Sequence, residues 1–158
     1  MELSNYTFDE LTEGQSKQLS YVLSEQEIKL FAAASGDVNP IHLDAEYAAQ
    51  TRFKQRIGHG MWLGAKISAI LGNTFPGPGT IYLEQEIAFK RPVFLNDEVD
   101  VVLTVQEKSE DSRKPIVVLE CIATNQKEEI VAVGTATVLA PKEKAKIEAP
   151  ELPSVEMA

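Results

Sequence analysis

Apolar positions fall into two regimes along the 158-residue chain. From residue 80 onward they alternate with polar ones. In 80–93 (TIYLEQEIAFKRPV) Ile81, Leu83, Ile87 and Phe89 stand out, and in 98–105 Val99, Val101, Leu103 and Val105 share one face. A period of two is the mark of a strand with one face buried. The runs 115–124 and 130–140 continue the pattern, with Asn96-Asp97 and the polar segments 107–114 and 125–129 as turns. A looser alternation over 16–23 (SKQLSYVL) predicts one further strand.

The other regime is helical. Ser24 and Glu27 have the spacing of a capping box, in which hydroxyl and carboxylate satisfy free N–H groups at a helix start. The helix then carries Ile28, Leu30 and Phe31 to about Ala34, and Gly36 supplies a stop. Residues 60–73 (GMWLGAKISAILGN) are apolar or small on every side, and Lys66 is their only charge. Such a helix is expected to be buried all round. It is too short to span a bilayer, and the loop 75–79 (FPGPG) ends it. Antiparallel strands around one buried helix define an α+β domain, expected over 1–140. A polar lead-in, 1–15, would be pinned by Tyr6, Phe8 and Leu11. The Pro-, Lys- and Glu-rich residues 141–158 (PKEKAKIEAPELPSVEMA) read as an extended charged tail or linker.

Charge narrows the partners. With 24 acidic and 15 basic residues the net charge is −9, which argues against nucleic acid and anionic membrane. An anionic small ligand stays possible, because a local field can oppose the global one. The single cysteine, Cys121, permits no internal disulfide and fits a reducing compartment. The N-terminus (MELSNYTFDE) shows no signal peptide. A cytoplasmic protein is expected.

Candidate chemistry is concentrated in 35–60 (SGDVNPIHLDAEYAAQTRFKQRIGHG), which holds both histidines, His42 and His59. Pro40 disfavours helix at Asn39, so 35–43 is expected to be irregular, and Asp44 can cap a short helix over 45–50. Loop geometry around Pro40 can turn Asp37 and His42 into one cleft. A carboxylate and an imidazole sharing one water provide an acid and a base near neutral pH. His59-Gly60 stands where the buried helix opens. Free N–H groups there could receive an oxygen that becomes negative during reaction, or Gly60 could simply permit a tight entry turn. Ser68, two helical turns on, reads by itself as a small core residue bonding a backbone carbonyl. Arg52, Lys54, Arg56, Lys90 and Arg91 read as solvated charges, some of which could meet ligand phosphates. The two histidines and one cysteine have no zinc spacing, and Cys121 reads as core.

Three segments together, SGDVNPIHLDAEYA, FKQRIGHGMW and PGPGTIYLEQEIAFKRPV, resemble the MaoC-like family of (R)-specific enoyl-CoA hydratases, over about residues 21–139. HGMWLGAKISAILG and the charged tail look like the hydratase portion of bifunctional enoyl-CoA hydratase/phosphate acetyltransferase proteins, where a transferase domain follows. This chain stops at the tail, so no transferase activity is expected of it. The resemblance implies a hot-dog fold, a curved antiparallel sheet wrapped around a long central helix, with dimers formed by sheet pairing. It implies Asp37 and His42 as the catalytic pair, on a segment overhanging the sheet. It further implies that the Gly60 N–H receives the thioester oxygen, beside His59. Ser68 matches the family's helix serine near the site, and Asn39 the motif asparagine. The substrate would be an acyl-CoA, with coenzyme A as part of it and no metal or redox cofactor. Two other functions fit the same fold: an acyl-CoA thioesterase, and a non-catalytic acyl-CoA binding or scaffolding module that docks through its tail.

Overall fold

A computed structural model describes residues 1–157. Five strands form one antiparallel sheet in the order β2-β4-β5-β6-β3: β2 (Ser16–Val22), β3 (Ile81–Phe89), β4 (Glu98–Lys108), β5 (Ile116–Thr124) and β6 (Ile130–Leu139). The inward sets of β4 and β5, led by Val99, Val101, Leu103, Val117 and Leu119, are buried. They share one core with Leu63, Ile67, Ile70 and Leu71 of the long helix α4 (Gly60–Asn73). This is the hot-dog arrangement.

The helix α1 (Glu25–Ser35) starts as expected, with Ser24 Oγ accepting from Glu27 N at 3.1 Å. The reciprocal half of the capping box is not made. The Glu27 carboxylate instead accepts from Trp62 Nε1 at 2.7 Å and pairs with Lys66 Nζ at 3.0 Å. A half-buried pairing between α1 and α4 has displaced a local one, and it accounts for the only charge on α4.

Three features differ from the sequence expectations. Residues 40–43 are not irregular but form a four-residue helix, α2 (Pro40–Leu43). Pro40 takes its first position, where a missing N–H loses nothing, and Asn39 Oδ1 caps Ile41 N at 3.3 Å. It leads into α3 (Ala45–Ala49), capped by Asp44. Next, α4 is not buried all round. Met61, Ala65, Ser68 and Gly72 form an exposed stripe at spacings of three and four, the period of one helix face. Lastly, the start of the tail is not a free extension; it joins the lead-in, which is pinned as expected by the buried Phe8 and Leu11 with Tyr6 packed against them. β1 (Glu2–Ser4) pairs with β7 (Lys146–Glu148) in a separate two-stranded sheet. The buried Asn5 holds that sheet to the domain. Its Nδ2 donates to Pro78 O and Glu143 O, and its Oδ1 accepts from Ala145 N, each at 3.0 Å. Residues 150–157 are exposed and adopt no regular element.

Candidate active site

After α1 the chain turns through three side chains, each of which caps an N–H two residues on. Ser35 Oγ accepts from Asp37 N, Asp37 Oδ1 from Asn39 N, and Asn39 Oδ1 from Ile41 N, at 3.1, 3.1 and 3.3 Å. Short polar side chains favour such local bonds over regular structure. The series gives Asn39 a structural task and uses one oxygen of Asp37. The other, Oδ2, lies 4.0 Å from His42 Nε2.

His42 is fixed from behind. Its Nδ1 lies 2.7 Å from Ile57 O. A carbonyl only accepts, so Nδ1 carries the proton and neutral His42 presents the Nε2 lone pair towards Asp37. The segment that supplies this carbonyl is itself secured. Arg56 Nε donates to His42 O at 2.6 Å, and its two terminal nitrogens grip both oxygens of Glu25 on α1 at 2.7 and 3.2 Å. Arg56, one of the phosphate candidates in the sequence, is thus a structural clasp.

His59 is more deeply buried than His42 (4% against 8% exposed). Its Nε2 lies 3.0 Å from Asp37 O and donates to it. The two imidazoles stack with centroids 3.9 Å apart, and Phe31 covers the other histidine, His59, at 4.8 Å. His59 Nδ1 is buried and has no partner among the described residues. Burial pushes the His42 pKa below the usual imidazole value of 6.5. The Ile57 carbonyl opposes this, the neighbouring His59 adds to it, and the Asp37 charge opposes it weakly. His42 is therefore held neutral at pH 7, as a base needs.

Asp37, His42 and His59 offer ligand-type atoms within 4.8 Å of one another. One nitrogen of each ring carries a proton bound to a carbonyl, however, and the free nitrogen of His59 is sealed from solvent. That leaves His42 Nε2 and the Asp37 carboxylate as the free pair, a set suited to proton transfer rather than to three-point coordination of a metal.

A cleft of about 340 Å³ opens beside this pair, lined by His42, His59, Gly60, Leu63, Phe53 and Phe89, and by the cations Arg52, Lys90 and Arg91. Gly60 is the first residue of α4, and no side chain caps that helix end. Its leading N–H groups have no acceptor within the helix. A Cβ at Gly60 would come within 3.0–3.1 Å of the Phe89 ring, so glycine keeps this wall close to the helix backbone. Asp37 lies on the open side of His42, outside the cleft wall, with its side chain 48% exposed. Ser68 is exposed on α4, about 12 Å along the axis from Gly60. Within one chain, then, Asp37, His42, His59 and Gly60 come together and Ser68 does not.

Comparison with known proteins agrees with this architecture. The solved R-hydratase PhaJ1 from Pseudomonas aeruginosa, in the unliganded form, superimposes with a TM-score of 0.94 at 44% identity, covering 100% of both chains. The (R)-hydratase from A. caviae involved in PHA biosynthesis gives a TM-score of 0.80 at 42% identity over 83% of this chain and 98% of its own. Residues 8–127 match the MaoC like domain, and the chain belongs to that family. A curated relative is the (R)-specific enoyl-CoA hydratase of Rhodospirillum rubrum, 40% identical over 85% of this chain and 91% of its own length. Another is the 3-hydroxybutyryl-CoA dehydratase of Methylorubrum extorquens, 36% identical over 90% and 89%. None of these names carries a phosphate acetyltransferase, so that part of the resemblance gains no support from them.

Proposed function

We propose that this protein adds water to a trans-2-enoyl-CoA to give an (R)-3-hydroxyacyl-CoA, and catalyses the reverse dehydration. The observation that carries this is the 4.0 Å separation of Asp37 Oδ2 and His42 Nε2, with the tautomer of His42 fixed by Ile57. The gap is too long for a direct hydrogen bond and suits one bridging water. Neutral His42 accepts a proton from that water as its oxygen bonds to the β-carbon. The π-electrons move to the thioester oxygen, and free N–H groups at the start of α4 stabilise the developing charge. The imidazolium passes the proton it has taken to the ionised Asp37 carboxylate. As the enolate collapses, Asp37 delivers that proton to the α-carbon on the same face, which leaves His42 neutral and Asp37 ionised as at the start. Coenzyme A enters as part of the substrate, and the scheme uses no metal or redox cofactor. The test is loss of conjugated-enoyl absorbance with crotonyl-CoA, with product chirality and free thiol measured together. An (R)-hydroxy product without thiol supports the proposal. Thiol release selects a thioesterase, and binding without turnover a scaffolding module.

The base must be neutral, so kcat/KM is expected to fall as pH drops through the His42 pKa and to be retained above it. The acid limb should lie below 6.5, the ordinary imidazole value from which burial lowers it. In His59→Gln a donor remains for the Asp37 carbonyl but the second imidazole is gone, so the limb should move to higher pH. A pH–rate profile checks both. A limb unmoved in that variant would show that His59 acts on packing alone.

We also infer a homodimer formed along β3. This edge strand of the sheet exposes Ile81, Leu83 and Phe89, and Met61 stands exposed on α4. Open edges and apolar patches of this kind are normally covered. Light scattering should give twice the 17.4 kDa chain mass, and Leu83→Arg should shift it towards the monomer. A monomeric wild type would refute this. Among the described residues no helix is long and apolar enough to cross a membrane. Separately, the lone cysteine, free and buried, supports a reducing compartment such as the cytoplasm.

A further inference from the structure

We propose that Arg52 and Lys90, with Arg91, form a cationic rim that binds the phosphates of the coenzyme A nucleotide at the mouth of the cleft. This rests on the acyl-CoA reading above and assigns the part of the substrate that the acid–base site does not touch. Of the thirteen residues lining the cleft, three are Lys or Arg and none is acidic, in a chain whose net charge is −9. Four other cations are already paired with carboxylates: Arg56 and Lys29 with Glu25, Lys66 with Glu27, and Lys144 with Glu10. Arg52 and Lys90 are exposed and make no ion pair within 4.0 Å among the described residues. Arg91 pairs loosely with Glu129 at 3.6 Å.

The five cations flagged in the sequence therefore separate by position. Arg56 is consumed in the clasp, Lys54 lies outside the cleft, and the other three line it. Their two segments are held together. Gly58 N donates to Val93 O at 2.7 Å, and an isolated bridge joins Ile57 to Phe94. The backbone at Lys90 is tied to Val131 O at 2.8 Å, and the Arg52 guanidinium rests 4.8 Å over the Phe53 ring. The rim is thus carried on two fixed walls. The cleft, at about 340 Å³, is too small for a whole acyl-CoA, so the nucleotide must lie at or beyond its mouth. A local positive field there attracts that end of the substrate against the charge of the whole molecule. It also favours compact phosphates over an acidic carrier protein, which would meet the acidic remainder of the surface.

The test compares crotonyl-CoA with crotonyl-N-acetylcysteamine, which carries no phosphate, in wild type and in the Arg52→Ala/Lys90→Ala double variant. The expected result is a roughly tenfold loss of kcat/KM for the CoA ester, carried by KM, and a flatter salt dependence. Turnover of the phosphate-free ester should hold. Equal losses on both esters, or none on either, would overturn the proposal. So would a loss seen only with an acyl-carrier-protein thioester. If the wild type hydrates neither ester, the hydratase reading fails and calorimetric binding of free coenzyme A decides the rim. Weaker binding by the variant then supports it, and equal binding overturns it.

Discussion

Asp37→Asn is expected to lower kcat for crotonyl-CoA by about a thousandfold with little change in KM, the scale of a lost general acid. The substitution is clean for a structural reason. Asp37 Oδ1 accepts from Asn39 N, and an asparagine oxygen can do the same, so the turn into α2 is kept. What changes is Oδ2, the atom facing His42, which becomes an amide that cannot deliver a proton. His42→Ala should cost a similar factor but is less clean. It removes the donor to Ile57 O, and a buried carbonyl left without a partner costs about 1–3 kcal/mol of stability. The double variant is the sharper measurement. If one water is shared by both groups, the second substitution should add almost nothing to the first, as for residues that act as a unit. Multiplying losses would show two independent groups and sink the shared-water scheme. An unchanged melting temperature for Asp37→Asn keeps the effect in the chemistry.

The site was legible in the sequence to the extent that it depends on side chains in a fixed local order. Asp37, Asn39, Pro40 and His42 lie within six residues, and the turn among them follows from short-range hydrogen bonding. What fixes the tautomer of His42 could not be read there, because its proton is held by the carbonyl of Ile57, and backbone atoms leave no mark on residue identity. The role of Arg56 was hidden for a related reason. A cation gives no sign of its partner, and Glu25 lies thirty-one residues away. The fold shows the same division. Alternation located β2 to β6, because burial on one face imposes a period of two. Small residues defeated the reading of α4: Ala65, Ser68 and Gly72 suit a buried face or an open one, and here they are open. The β1–β7 pair was invisible, since three-residue strands in polar segments carry no alternation. Its stability comes from Asn5, whose amide bonds close a contact across more than 130 residues.

Gly134→Ala is the substitution expected to harm the fold most, at a position without a catalytic role. Gly134 lies in β6 between β3 and β5, opposite Ile87 on one side and Cys121 on the other. A Cβ built there would stand 1.9 Å from Glu86 O, 2.8 Å from Glu86 C and 2.9 Å from Ile87 Cα. All three atoms are backbone, so no rotamer change relieves the overlap and β3 must move away from β6. Overpacking of this kind costs about 3 kcal/mol or more, equivalent to a fall of roughly 6–12 °C in Tm for a chain of this size. The damage should reach the site by a definite path. β3 ends at Phe89, whose ring borders the cleft against Gly60, whereas Asp37 and His42 follow α1 and make no contact with β3 in their hydrogen bonds. Residual folded enzyme should therefore lose KM before it loses the acid limb of its pH profile. A melting temperature within about 2 °C of wild type would mean that β3 and β6 do not approach so closely at this register, and the placement of the Phe89 wall would fall with it.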